Sequence, residues 1–218
     1  MTTAPLAPPR RALVRRSRQL NLLTLGYNSL EGIVALVAGL LAGSVALVGF
    51  GADSLIELAA SGTALWRLRA DADPHRRERA ERAGLRVIGA LFIALALYVA
   101  WDAASALLGR DAPHESIPGI VLAAASVIVM PLLARAKRRV ALDLGSGTLA
   151  AEAQQTSLCA WLSAILLGGL VCNAALGWWW ADPVAALVMV PIIGREGVEG
   201  VRGRSACGDD CCRPARVP

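Results

Sequence analysis

Apolar residues along the chain fall into six blocks, near 20–42, 44–66, 83–108, 117–134, 147–175 and 178–194, with polar residues gathered between them. A helix that crosses the ~30 Å hydrocarbon core of a bilayer needs roughly 20 mostly apolar residues, so each block predicts one spanning helix. The fifth block is long enough to tilt or emerge from the membrane, and the sixth is short and contains Pro183 and Pro191, which membrane helices tolerate. The predicted fold class is all-α, a polytopic membrane protein built as a six-transmembrane-helix bundle. Only Ala42-Gly43-Ser44 separates the first two blocks, which forces an antiparallel pair. Gly39 and Gly43 there have the small-x3-small spacing that lets helices approach closely, or match it by chance.

Composition agrees with this pattern. Of 218 residues, 56% are hydrophobic and 18% charged, and the mean hydropathy is +0.52, values that suit a membrane protein better than a globular enzyme. Arg10, Arg11, Arg15, Arg16 and Arg18 follow a Pro-rich start, in the manner of a signal peptide. The apolar run behind them is too long for a signal and lacks a small-x-small cleavage context, so it is expected to stay as the first helix. Residues 1–19 then form a basic cytosolic tail, 20–200 the membrane domain and 201–218 a second cytosolic tail.

Charge sets the orientation. With six spans, 21 of the 22 Lys and Arg fall on one side, in 1–19, 67–86, 135–139 and 195–218, and only Arg110 falls on the other. Cytoplasmic loops carry the excess of Lys and Arg, which places both termini in the cytosol; the expected location is the plasma (inner) membrane. The net charge of +5 and pI near 9.3 therefore express orientation and attraction to anionic lipid. No aromatic-basic pattern accompanies them, and nucleic acid is not an expected partner.

Two acids interrupt the second block. Asp53 and Glu57 are four residues apart and share one helix face. An ionised carboxylate at the bilayer centre costs at least ~2.5 kcal/mol, so such groups face a bundle interior, a wet cavity or a partner. The pair points to a cation site; the bland alternative is that one or both are protonated and only bond a neighbouring helix. The fifth block offers Glu152, Gln155 and Cys159 at i, i+3 and i+7, again on one face. At ~1.5 Å per residue, Asp53 lies about 14 Å from a helix start at Ser44, and Cys159 about 18 Å from one at Gly147, both near mid-membrane. Gln155 and Cys159 can equally be small neutral packing residues. Asn28 and Glu31, three apart in the first block, either line the cation pathway or pair with the sixth helix, Asn28 as a hydrogen-bond donor.

The segments Gly51-Ala52-Asp53-Ser54-Leu55-Ile56-Glu57 and Ala151-Glu152-Ala153-Gln154-Gln155-Thr156-Ser157-Leu158-Cys159, with the short first hairpin, make residues 20–200 resemble the cation diffusion facilitator (cation efflux) family of divalent-metal transporters. The resemblance implies acid-x3-acid ligands on the second helix, matched by Asp53 and Glu57. It implies His-x3-Asp on the fifth, where this chain has Gln155 and Cys159. A thiolate suits zinc and softer metals and must lose a proton to bind, whereas Gln is a weak ligand. Glu152, if it turns inward, supplies the missing donor. The resemblance further implies divalent metal as cargo, zinc foremost, with protons as counter-ion, no prosthetic group, and a homodimer. Family members usually continue into a cytosolic ferredoxin-like domain that this sequence lacks, so any dimer is expected to form through the membrane helices.

Other features have simpler readings. Cys207, Cys211 and Cys212 fall in the cytosolic tail, where thiols stay reduced; they capture metal or sit in an unstructured segment. Cys172 reads as a buried small hydrophobe. His114 reads as a solvated loop residue, Asp102 as interfacial or helix-pairing, and Trp178, Trp179 and Trp180 as anchors at the outer surface. The stretch from Asp71 to Arg79, with its helix-breaking Pro74, reads as a solvated connector. The leading function is a secondary transporter exporting divalent metal against protons. The alternative is a metal sensor or accessory subunit that does not transport. An enzyme with Cys159 as nucleophile is disfavoured, because both histidines, His75 and His114, lie in loops and cannot activate it.

Overall fold

The structure, a computed structural model, describes residues 10–67, 74–110, 112–144 and 147–202. They form six helices: α1 (Arg10–Ala42), α2 (Val45–Arg67), α3 (Pro74–Gly109), α4 (Ile117–Leu144), α5 (Gly147–Leu176) and α6 (Ala181–Val201). Each apolar block has become one helix. Arg11–Ala42, Arg86–Gly109, Ile117–Leu144 and Glu152–Leu176 are long and apolar enough to cross a membrane. α2 and α6 have 23 and 21 residues, about 31–35 Å of helix at ~1.5 Å per residue.

Several helices overrun their apolar blocks, and always at the basic end of the bundle. Arg10 to Arg18 belong to α1, Arg135 to Arg139 to α4, and Pro74 opens α3, where the sequence suggested a tail, a loop and a connector. Arg and Lys are good helix formers, and extending an existing helix avoids the cost of nucleation, so these segments need no apolar face. Pro74 sits at the first helical position, where its missing N–H is no loss. Pro131 lies inside α4 and α4 continues past it to Leu144. Cys207, Cys211 and Cys212 lie outside the described residues.

Four helices close a ring, α1 against α2, α2 against α5, α5 against α4 and α4 against α1, while α3 and α6 pair extensively and pack on α2 and α5. Glycines allow the closest of these contacts. A Cβ on Gly39 would lie 2.8 Å from the backbone N of Val48, and one on Gly51 would lie 2.8 Å from that of Leu36, so α1 and α2 touch backbone to backbone. Gly89 and Gly197 do the same for α3 and α6. Gly43 serves differently: with φ +66° it ends α1 in the left-handed region, and Ser44 N–H then bonds Gly39 O at 3.0 Å, the Schellman closure that glycine favours. Leu41 and Leu108, 79% and 88% exposed, belong to the outward apolar surface, while Phe50, Met130, Leu166 and Met189 fill the interior.

At the end opposite the arginines, the three connections are tied together. His114 N–H donates to Ala42 O at 2.8 Å, and Asn173 Nδ2 to Pro113 O at 3.1 Å. The side chain of His114 is exposed. Asp182, wholly buried on the first turn of α6, accepts from Ser44 Oγ at 2.6 Å and faces Ala46 N–H at 3.4 Å. Ser44 Oγ in turn accepts from Leu47 N–H at 3.1 Å, making it the N-cap of α2. A buried carboxylate thus sits against the positive end of the helix that carries Asp53 and Glu57. Trp178 and Trp180 stack with centroids 5.1 Å apart in the turn between α5 and α6.

Candidate metal centre

Inside the ring, polar side chains occupy three levels along the bundle axis. At the deepest level from the basic end, Glu31 of α1 is 1% exposed. It accepts from Ser54 Oγ of α2 at 3.2 Å, from Cys159 Sγ of α5 at 3.7 Å and from Ser126 Oγ of α4. Tyr27 bonds the same Ser126 hydroxyl at 2.9 Å. About one turn towards the basic end, Asn28 Nδ2 donates to Glu57 Oε2 at 3.0 Å, and Gln155 of α5 is near the same carboxylate. Nearest the basic end, Lys137 Nζ of α4 lies 3.3 Å from Thr156 Oγ1 and 4.0 Å from Glu152 Oε2.

Asp53, 4% exposed, stands within electrostatic reach of Glu31, and Cys159 within reach of Glu31, Glu57 and Asp53. Helix geometry explains the convergence. Asp53 and Glu57 are one turn apart on α2, Gln155 and Cys159 one turn apart on α5, and Asn28 and Glu31 adjacent turns of α1, so three helices present matched pairs to one axis. Three buried side-chain acceptors have no partner among the described residues: Asp53 Oδ2 and Asn28 Oδ1 at these levels, and Asn21 Oδ1 nearer the basic end. An unpaired buried oxygen carries a desolvation penalty of about 1–3 kcal/mol, which a bound cation would relieve.

Of the residues singled out in the sequence, Asp53, Glu57, Gln155 and Cys159 come together. Glu31, expected along a pathway, lies among them and bonds α2, α4 and α5 rather than α6. Asn28 donates across α1 and α2. Glu152 does not turn inward: its side chain is 39% exposed and faces Lys137. The site therefore offers three carboxylates, one thiol and two side-chain amides. Among the described residues no three Asp, Glu, His or Cys side chains already stand at metal-binding separations. Glu31 accepts from serine hydroxyls and Glu57 from the Asn28 amide.

Ser54, Ser126, Lys137 and Asp182 escaped the sequence reading. Ser126 is a lone polar residue at mid-span in apolar surroundings, and Asp182 follows the Trp178-Trp179-Trp180 run at a helix start, where an acid is commonplace. Lys137 was hidden in an arginine-rich run that counted only towards orientation.

Comparison with known proteins agrees with this architecture. The family model for the cation efflux transmembrane domain matches residues 22–202. A curated relative, an "uncharacterized transporter" (sll1263) of Synechocystis sp. (strain ATCC 27184 / PCC 6803 / Kazusa), is 28% identical over 151 residues, 66% of this chain and 49% of its own length. The chain thus spans about half the length of that relative.

Proposed function

The chain belongs to the cation efflux transmembrane domain family, and from that premise we propose that it moves a divalent transition metal, zinc foremost, out of the cytosol in exchange for protons. It is a multi-pass membrane protein of that family. Cation transport, the metal, the direction and the coupling are the parts proposed. The observation that carries the reading is the unpaired Oδ2 of Asp53, a buried carboxylate oxygen beside two further acids and a thiol.

Asp53, Glu57 and Glu31 supply hard oxygen donors and Cys159 a soft sulfur, a set that suits zinc and cadmium better than magnesium or calcium. Asn28 bonds Glu57 when it carries no metal, and Gln155 serves as a second, adjustable amide. Glu152 has no place among the ligands. Every metal-binding acid and the thiol must be deprotonated to coordinate, so protons and metal compete for the same atoms. Exchange follows if the ring opens alternately to each side. The basic end faces the cytosol by the positive-inside rule, so efflux loads metal past Lys137 and Glu152 and releases it towards the Asp182 end.

The test is zinc entry into proteoliposomes carrying an internal pH indicator. Wild type should take up zinc as protons leave, and Asp53→Ala and Glu57→Ala should abolish both signals. Uptake unchanged in both variants would sink the proposal.

A further inference from the structure

Lys137 has no task in the transport site as described. Its side chain is 5% exposed, yet its carboxylate partner Glu152 is 39% exposed and 4.0 Å away. A pair so open on one side contributes little, whereas burying an ammonium is costly. Its one side-chain hydrogen bond, to Thr156 Oγ1 at 3.3 Å, is to a neutral group. The compensation lies deeper, because Lys137 is within electrostatic reach of Glu57 as well as Glu152. Thr156 is three residues before Cys159, on the same side of α5, and Cys159 bonds Glu31, so the ammonium stands about one turn towards the basic end from the acids.

A long, flexible side chain with a charge at its tip can serve two carboxylates in turn. Resting on the metal-site reading above, we propose that Lys137 is a tethered cation at the basic-end mouth of the site. When metal is bound, Glu152 and Thr156 hold the ammonium aside; when metal leaves, it neutralises Glu57. Lys137 therefore competes with the cargo and helps to expel it, and Glu152 weakens that competition. Both are positioning residues that act through Glu57.

Zinc affinity by titration calorimetry, with zinc uptake in proteoliposomes, separates this from a structural ion pair. Lys137→Met should tighten zinc binding about tenfold, the order of effect of removing one unit charge near a partly buried site, while lowering maximal flux. Lys137→Arg should return affinity towards wild type. Glu152→Gln should weaken zinc binding several-fold, and the double variant Lys137→Met with Glu152→Gln should bind as tightly as Lys137→Met alone. An unchanged or weaker affinity in folded Lys137→Met overturns the proposal. So does a Glu152→Gln effect that persists without Lys137. Should Lys137→Met fail to fold, an unchanged affinity in Glu152→Gln overturns it on its own. Wild type that binds zinc through Asp53 but ignores these changes removes the tether and keeps the metal site; wild type that binds no zinc removes both.

Discussion

Replacing Asp182 perturbs the structure that holds Asp53 and Glu57 at their depth. The carboxylate is fully buried and accepts from Ser44 Oγ at 2.6 Å, with Ala46 N–H at 3.4 Å. A hydrogen bond to a charged group contributes about 1.5–3 kcal/mol, and a negative charge at a partly buried helix N-terminus up to ~2 kcal/mol. The second contact is long and adds little. Asp182→Ala removes both terms and should cost about 3 kcal/mol. Asp182→Asn keeps an acceptor and loses mainly the charge, so about 1 kcal/mol is expected. For a chain of this size each kcal/mol shifts the melting temperature by about 2–4 °C, which makes the expected drops roughly 6–12 °C and 2–4 °C. Thermal unfolding of purified protein in detergent, followed by tryptophan fluorescence, reads both. An Asp182→Ala protein within 2 °C of wild type, or an Asp182→Asn protein as unstable as the alanine variant, would refute the capping role.

Three further outcomes are expected. Gly197→Val places a side chain where even a Cβ would lie 2.8 Å from Ile93 N and 3.0 Å from Gly89 O. It should part α3 from α6 at a cost of about 1–3 kcal/mol, seen as a lower melting temperature. Cys159→Ser should weaken cadmium binding far more than manganese binding, because only cadmium prefers sulfur to oxygen; equal losses by calorimetry would remove the thiol from the site. Lowering the pH from 8 to 6 should weaken zinc binding at least tenfold, because the ligands must shed protons to bind; calorimetry in buffers of different ionisation enthalpy should show proton release, and a pH-independent affinity would count against it.

Hydrophobic pattern alone located all six helices, since a bilayer imposes one length on every apolar block. It could not place their basic ends. Arg10 to Arg18 and Arg135 to Arg139 are polar yet helical, and hydropathy reports the solvent around a residue, not its backbone. Face arithmetic was sufficient for Asp53 with Glu57 and for Gln155 with Cys159, because one-turn spacing fixes both direction and relative depth. It failed for Glu152, which shares the face of Gln155 but lies a turn lower, where Lys137 meets it. Glu31 was visible as a mid-span acid, but its bonds to Ser54, Ser126 and Cys159 join four helices. Such contacts leave no local pattern. The same holds for Asp182, 138 residues from Ser44 in sequence.

X-ray absorption spectroscopy of the zinc-loaded protein tests most directly whether this cluster binds the metal. The expected spectrum has one sulfur scatterer at about 2.3 Å and oxygen neighbours at about 2.0–2.2 Å, the sulfur vanishing in Cys159→Ser and the bound zinc itself in the double variant Asp53→Ala with Glu57→Ala. A zinc shell that keeps the same scatterers in all three proteins would place the metal elsewhere and contradict the account.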